Sequence, residues 1–125
     1  MQIKIRATNF ELTPAIREYI ERKIPHLDKF LENKDASLCE VEIGKTTRHH
    51  KSGDVFRAEI NLTEPGGKQF YAAAEESDLY ASIDIVRDDI ERKIISGKKR
   101  RDTVWKRGAQ QIKNIIKNFR NTSES

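Results

Sequence analysis

The run Lys98-Lys99-Arg100-Arg101, with Arg92 and Lys93 before it and Lys106-Arg107 after it, is the densest stand of chemically competent side chains in the sequence. The chemistry it offers is permanent positive charge, which neutralises phosphates and releases their counterions without needing exact spacing. Other chemistries find less support. His49-His50 are adjacent and would point apart on an extended segment, and no Cys-x-x-Cys or His-x-x-x-His spacing exists, so no metal is expected. The run Arg48-His49-His50-Lys51 reads instead as a basic, polar loop. No Gly-x-Ser-x-Gly elbow holds a nucleophile, and Gly66-Gly67 has no lysine-serine pair after it to make a phosphate loop. Acidic pairs such as Glu75-Glu76 and Asp88-Asp89 suit solvated helix flanks. Neither an enzymatic activity nor a cofactor is expected.

The charge is unevenly divided. Met1 to Glu91 holds 13 basic and 18 acidic residues, a net of −5, whereas Arg92 to Ser125 holds 11 basic and 2 acidic, a net of +9. An acidic body with a basic C-terminal quarter points to a polyanionic partner, either nucleic acid or an anionic surface. At 125 residues there is room for one modest core. No stretch is apolar for the roughly 18 to 20 residues of a membrane span, and no leader precedes the first strand, so a cytoplasmic protein is expected. Cys39 stands alone in an apolar run and reads as a small buried hydrophobe.

The elements that would position this charge follow from periodicity. Ile3, Ile5 and Ala7 alternate with Gln2, Lys4 and Arg6, the pattern of a half-buried strand. Thr13-Pro14 reads as an N-cap and first helical residue, before a helical stripe of Ile16, Ile20, Ile24, Leu27 and Leu31. Pro25 lies inside that stripe and should kink or weaken its last turns. Cys39, Val41 and Ile43 mark a second strand, and Phe56, Ala58, Ile60 and Leu62 a third. Pro65-Gly66 suits a type II turn, leading to a fourth strand with Phe70, Ala72 and Ala74 inward. Ser77 or Asp78 caps a second helix with the stripe Leu79, Ile83, Val86, Ile90 and Ile94, and Gly97 with the basic run is expected to interrupt it. The order β-α-β-β-β-α predicts an α+β fold, a two-layer sandwich. Its four-stranded mixed sheet would have strands one and two parallel and both helices on one face.

A third helical pattern spans residues 103–120. Val104, Trp105, Ala109, Ile112, Ile115, Ile116 and Phe119 fall within about 140° of arc, with Lys106, Lys113, Lys117 and Arg120 clustered on the polar side. The expected division is a binding domain at 1–97 and a basic tail at 98–125 carrying this amphipathic helix. Such a helix could pack on the domain, on a copy of itself, on a partner protein or on anionic lipid. A general binder of structured RNA is the other open reading.

Two stretches carry a resemblance. Asn9-Phe10-Glu11-Leu12-Thr13-Pro14-Ala15-Ile16-Arg17-Glu18 looks like the start of ribosome hibernation promoting factors, the ribosome-associated inhibitor or sigma-54 modulation protein family. Ala72 to Asp84, with its Asp-Leu-Tyr-Ala-x-Ile-Asp string, resembles their fourth strand and second helix. The likeness covers about residues 1 to 100. It implies a short-form stress protein that docks near the decoding centre of the small ribosomal subunit. There it would touch ribosomal RNA and block messenger and transfer RNA by occupancy. Lys23, Arg92 and Lys98 match basic positions of the family. Asp89 and Ser96 stand where relatives often have lysine, and His26 replaces another. The residues after Gly97 are too few for the dimerisation domain of long members, so a monomer is expected, with no membrane partner. They also differ from the acidic tail of one short branch.

Overall fold

A computed structural model describes residues 1–46 and 53–123, in two compact units, Met1–Ile94 and Ile95–Ser125. The Arg48 to Lys51 run lies outside the described residues. Four strands, β1 (Gln2–Thr8), β2 (Leu38–Thr46), β3 (Val55–Glu64) and β4 (Lys68–Glu76), alternate with two helices, α1 (Pro14–Lys23) and α2 (Leu79–Ser123), in the order β-α-β-β-β-α. The sheet order is β1-β2-β3-β4, with β1 parallel to β2 and the other pairs antiparallel. This is the expected α+β architecture. The inward residues of each strand join the stripes of both helices in one core.

Local chemistry sets the element ends. The Thr13 hydroxyl accepts the Ile16 N–H at 3.3 Å. Pro14 occupies the first turn of α1, where its missing donor costs nothing. Pro25 has no N–H for the α ladder, and the chain tightens into a 3-10 segment, Ile24–Phe30. The expected kink is therefore a change of winding. It keeps Ile24, Leu27 and Leu31 buried in line with Ile16 and Ile20. Between β3 and β4, Gly66 and Gly67 take φ of 89° and 83°. A side chain would strain that region of backbone.

The second helix corrects one expectation. Asp78 accepts the Tyr80 N–H at 3.2 Å and so caps the start of α2, but no break follows at Gly97. The helix runs on to Ser123, where a separate helix over 103–120 was expected. One interior glycine costs only about 1 kcal/mol, and lysine and arginine are good helix formers. Thr103 donates its hydroxyl back to the Lys99 carbonyl at 2.9 Å, as a mid-helix threonine does.

Two acidic groups in the Met1–Ile94 unit are held protonated. Burial, with the charges of Asp28 and Glu40, pushes the Cys39 thiol from 9.0 up to about 12. Burial and the hydrogen bond to Asp84 push the Tyr19 hydroxyl from 10.0 up to about 12. The folded state thus holds these protons more tightly than the unfolded chain. Their contribution is complete below about pH 9 and is lost as pH rises toward about 12. The urea midpoint should therefore fall between about pH 8 and pH 10.5, and fall less in a Cys39→Ala/Tyr19→Phe double variant. Equal falls in the two proteins would show that neither group is linked to folding.

Candidate nucleic-acid interface

The solvent face of the sheet settles its own charges. Arg6 pairs with Glu42 at 3.2 Å, and Arg57 with Glu59 at 3.0 Å and Glu75 at 3.5 Å. Tyr71 donates its hydroxyl to Glu59; that bond, with Arg57, holds the Glu59 carboxyl below its ordinary range. A shallow groove of about 310 Å³ crosses this face, lined by Lys4, Arg6, Glu40, Glu42, Glu59 and Tyr71 among others. Acids outnumber bases along it, so a chain of phosphates would be repelled as often as attracted.

Arg22, Lys23, Arg92 and Lys93 of the Met1–Ile94 unit stand on the helices, and the structure separates their roles. Lys23 ends α1 with its ammonium 5.6 Å from the centre of the Tyr19 ring, and the Arg22 guanidinium lies 5.4 Å from the same centre. Both distances suit attraction of a cation to a ring. Tyr80 meets Tyr19 edge to face at 4.8 Å, and Tyr19 donates to Asp84 at 2.6 Å. Tyr80 remains partly exposed against the Tyr19 ring that the two cations approach, an arrangement that can meet both a phosphate and a base. Arg22, Tyr19 and Tyr80 had no place among the sequence candidates. The signal available was an aromatic at 19 ahead of two cations at 22 and 23.

Arg92 and Lys93 are exposed but engaged. Arg92 pairs with Asp89 one turn back, so the acid standing at a position where basic residues were expected cancels its neighbour. Lys93 donates to the main-chain oxygen of Tyr71 on the edge strand β4, which occupies one of the unpaired groups of that edge. The acids Asp88 and Glu91 are neutralised by Arg87, at 3.0 Å and 3.4 Å.

Within Ile95–Ser125 the density of positive charge rises. This unit holds nine basic and two acidic residues, a net of +7. Lys99, Lys106 and Lys113 recur every seven residues, and all three are exposed. That spacing sets them about 10.5 Å apart along a helix axis. Arg100 and Arg101 lie elsewhere on the circumference, beside the apolar residues Val104, Trp105 and Ile112. Lys98 is half-buried and Arg107 exposed. Lys113 completes a row that the sequence candidates began with Lys99 and Lys106; the heptad spacing is its signal. Among the described residues no three His, Cys, Asp or Glu side chains gather as metal ligands, and no helix is long and apolar enough to cross a membrane.

Comparison with known proteins converges on one family. Residues 3–102 match the model of the family described as sigma 54 modulation protein / S30EA ribosomal protein. The ribosome hibernation promoting factor of Klebsiella oxytoca is 31% identical over 98 residues, 78% of this chain and 94% of that protein. The ribosome hibernation promotion factor of Lactococcus lactis is 34% identical over 95 residues. That alignment covers 75% of this chain but only 48% of the longer relative. Among solved structures, the Thermus thermophilus Protein Y N-terminal domain superposes with a TM-score of 0.60 at 34% identity. It covers 75% of this chain and 96% of that one.

If the lysine row reads phosphates, Lys99, Lys106 and Lys113 to glutamine should flatten the plot of log K against log salt for a structured RNA. The expected change is about 2 to 3 units, at roughly 0.7 to 0.9 per contact. The melting temperature should scarcely move, because exposed charges contribute little to folding. Lys93→Gln should leave the slope unchanged, since its ammonium is already engaged on β4. A triple variant with the wild-type slope would remove the row from the interface.

Proposed function

The chain belongs to the sigma 54 modulation protein / S30EA ribosomal protein family, and on that premise we propose that it is a ribosome hibernation factor acting by occupancy rather than by chemistry. Its target is the small ribosomal subunit near the decoding centre, in the cytoplasm, where it contacts ribosomal RNA and excludes messenger and transfer RNA under stress. The observation that carries this reading is where uncancelled positive charge lies. The sheet face neutralises itself through Arg6, Arg57 and their carboxylates. Exposed cations stand at Arg22 and, in the unit of net +7, at Lys99, Lys106 and Lys113, with Lys23 half-exposed beside Tyr19. Lysine and arginine against phosphate give affinity with little sequence reading, which is what a plug for a structured RNA channel requires.

The residues divide the work unequally. Lys99 and Lys106 supply exposed charge, with Lys98, Arg100, Arg101 and Arg107 around them. Lys23 works beside the Tyr19 and Tyr80 rings. Arg92 contributes after Asp89 yields, and Lys93 contributes through the edge of β4 rather than through RNA.

Three outcomes are expected if this is right. The purified chain sediments with small subunits in a sucrose gradient, lowers the yield of a cell-free translation reaction, and loses its subunit binding as transfer RNA is added in excess. Independent, simultaneous binding of the chain and transfer RNA would overturn the channel-blocking mechanism. Binding to any structured RNA as tightly as to the small subunit would make it a general RNA binder instead.

A further inference from the structure

Among the described residues of the unit Ile95–Ser125, most of the large apolar side chains of α2 are exposed. Val104, Trp105, Ile112, Ile115 and Ile116 are between 51% and 79% exposed. A groove of about 500 Å³ runs along this face, lined by Val104, Trp105, Gly108, Ala109 and Ile112 with Arg100 and Arg101 at one end. A side chain added at Gly108 would meet nothing within 4 Å, so the helix carries a notch where another backbone can come close. In the Met1–Ile94 unit, by contrast, the large exposed hydrophobics are Tyr71, Tyr80 and Ile85, two of them tyrosines with polar tips. Scattered residues of that kind need no explanation; a contiguous stripe with a notch does.

We propose that this face is the docking surface for a second copy of the same helix, paired antiparallel. Most of the stripe is symmetric in its spacing about Gln110, the exceptions being Ala109, level with Gln111, and Phe119, level with Arg101. Val104 and Ile116 lie six residues to either side, Trp105 and Ile115 five, Gly108 and Ile112 two. Antiparallel pairing centred there puts each of these apolar residues level with an apolar residue of the second copy, and the Gly108 notch level with Ile112. The same level pairing sets a large side chain against a missing one, twice, across the two-fold axis. Charge selects the direction. A parallel pair would lay the two Lys98-to-Arg101 runs side by side, about 10 Å apart. The antiparallel pair holds them about 30 Å apart, roughly three screening lengths in about 0.1 M salt. The face of one four-turn helix is smaller than the roughly 800 Å² per partner of a standard interface, so association is reversible, with a dissociation constant on the order of 10 to 100 µM. This departs from the expectation of a monomer, which rested on the residues after Gly97 being too few for the dimerisation domain of long members.

Sedimentation velocity on the full chain, freed of nucleic acid by nuclease treatment, tests the proposal. The chain should be a monomer at about 1 µM and largely a dimer at about 500 µM. Raising salt from about 0.05 to about 0.5 M should tighten the dimer several-fold, because the flanking cations repel and salt screens them. RNA binding has the opposite sign. Ile112→Gln/Ile115→Gln should stay monomeric throughout and keep the melting transition of the sheet domain. When Gly108→Cys and Ile112→Cys chains are mixed and oxidised, the disulfide should join unlike chains in preference to like ones. A monomer at every concentration, a dimer that survives the isoleucine substitutions, or a dimer that salt dissociates would each overturn the proposal. So would like-with-like disulfides, which report parallel pairing. Flotation with anionic vesicles by a chain that never self-associates would assign the face to lipid instead.

Discussion

Each strand of this chain has one apolar face and one charged face, so the sheet can be covered on one side only. Everything else follows from that. Ile16, Ile20, Ile24 and Leu27 from the first helical segment and Leu79, Ile83, Val86, Ile90 and Ile94 from α2 bury the same side. The other side stays in water and must tolerate its own charges at close range. It does so by pairing them within and across strands, Arg6 with Glu42 and Arg57 with Glu59 and Glu75. Each such exposed pair is worth under about 1 kcal/mol, so their effect is less on stability than on recognition. They leave the sheet face without net attraction for a polyanion.

The string from Asp78 to Asp84 shows how much about two turns of helix can carry. Asp78 caps α2, Leu79 and Ile83 enter the core, and Ser82 is buried with its hydroxyl bonded to the Leu79 carbonyl at 2.7 Å. Tyr80 packs edge-on against Tyr19, and Asp84 accepts the Tyr19 hydroxyl. Two contacts one turn apart on α2 therefore hold the same ring of α1, which fixes the two helices against sliding past each other. The Arg22 and Lys23 cations close to that ring are positioned by the same contacts. A stretch this specific is thus explained by packing and capping first, with the placing of cations as a consequence.

Legibility followed the strength of the physical signal. Strand alternation at Ile3, Val41, Ile60 and Ala72 and the stripes of both helices have one solution, because a one-residue slip would turn every apolar side chain to water. The caps at Thr13 and Asp78 could be read from side-chain chemistry, as could the effect of Pro25. Gly97 misled because a glycine is a weak break: about 1 kcal/mol does not end a helix when long runs on both sides favour it. The partners of charged residues were not legible. Nothing in the sequence says that Lys93 reaches the Tyr71 carbonyl, that Asp84 is taken by Tyr19, or that Arg87 serves both Asp88 and Glu91. The first two depend on distances across 22 and 65 residues of chain, which composition and period do not encode.

The second unit separates two kinds of surface by angle. At about 100° per residue, Lys99, Lys106 and Lys113 fall within about 40° of one another, while Val104 through Ile116 fill an arc whose centre lies about 130° away. A phosphate chain along the lysine row would leave the apolar stripe uncovered, and a second helix on the stripe would leave the lysine row in solvent. The two occupants are also opposite in their response to salt, since one interaction releases counterions and the other is opposed by like charge. If both occupants bind as proposed, they would couple through charge alone. Phosphates bound to the lysine row lower the positive potential that two copies must overcome, so a polyanion long enough to engage one row makes the approach of the second copy easier. The converse holds by linkage: two rows on one paired helix present twice the charge to a single polyanion. On the proposed RNA contact and helix pairing, each face of this amphipathic helix would raise the affinity of the other with no change of conformation.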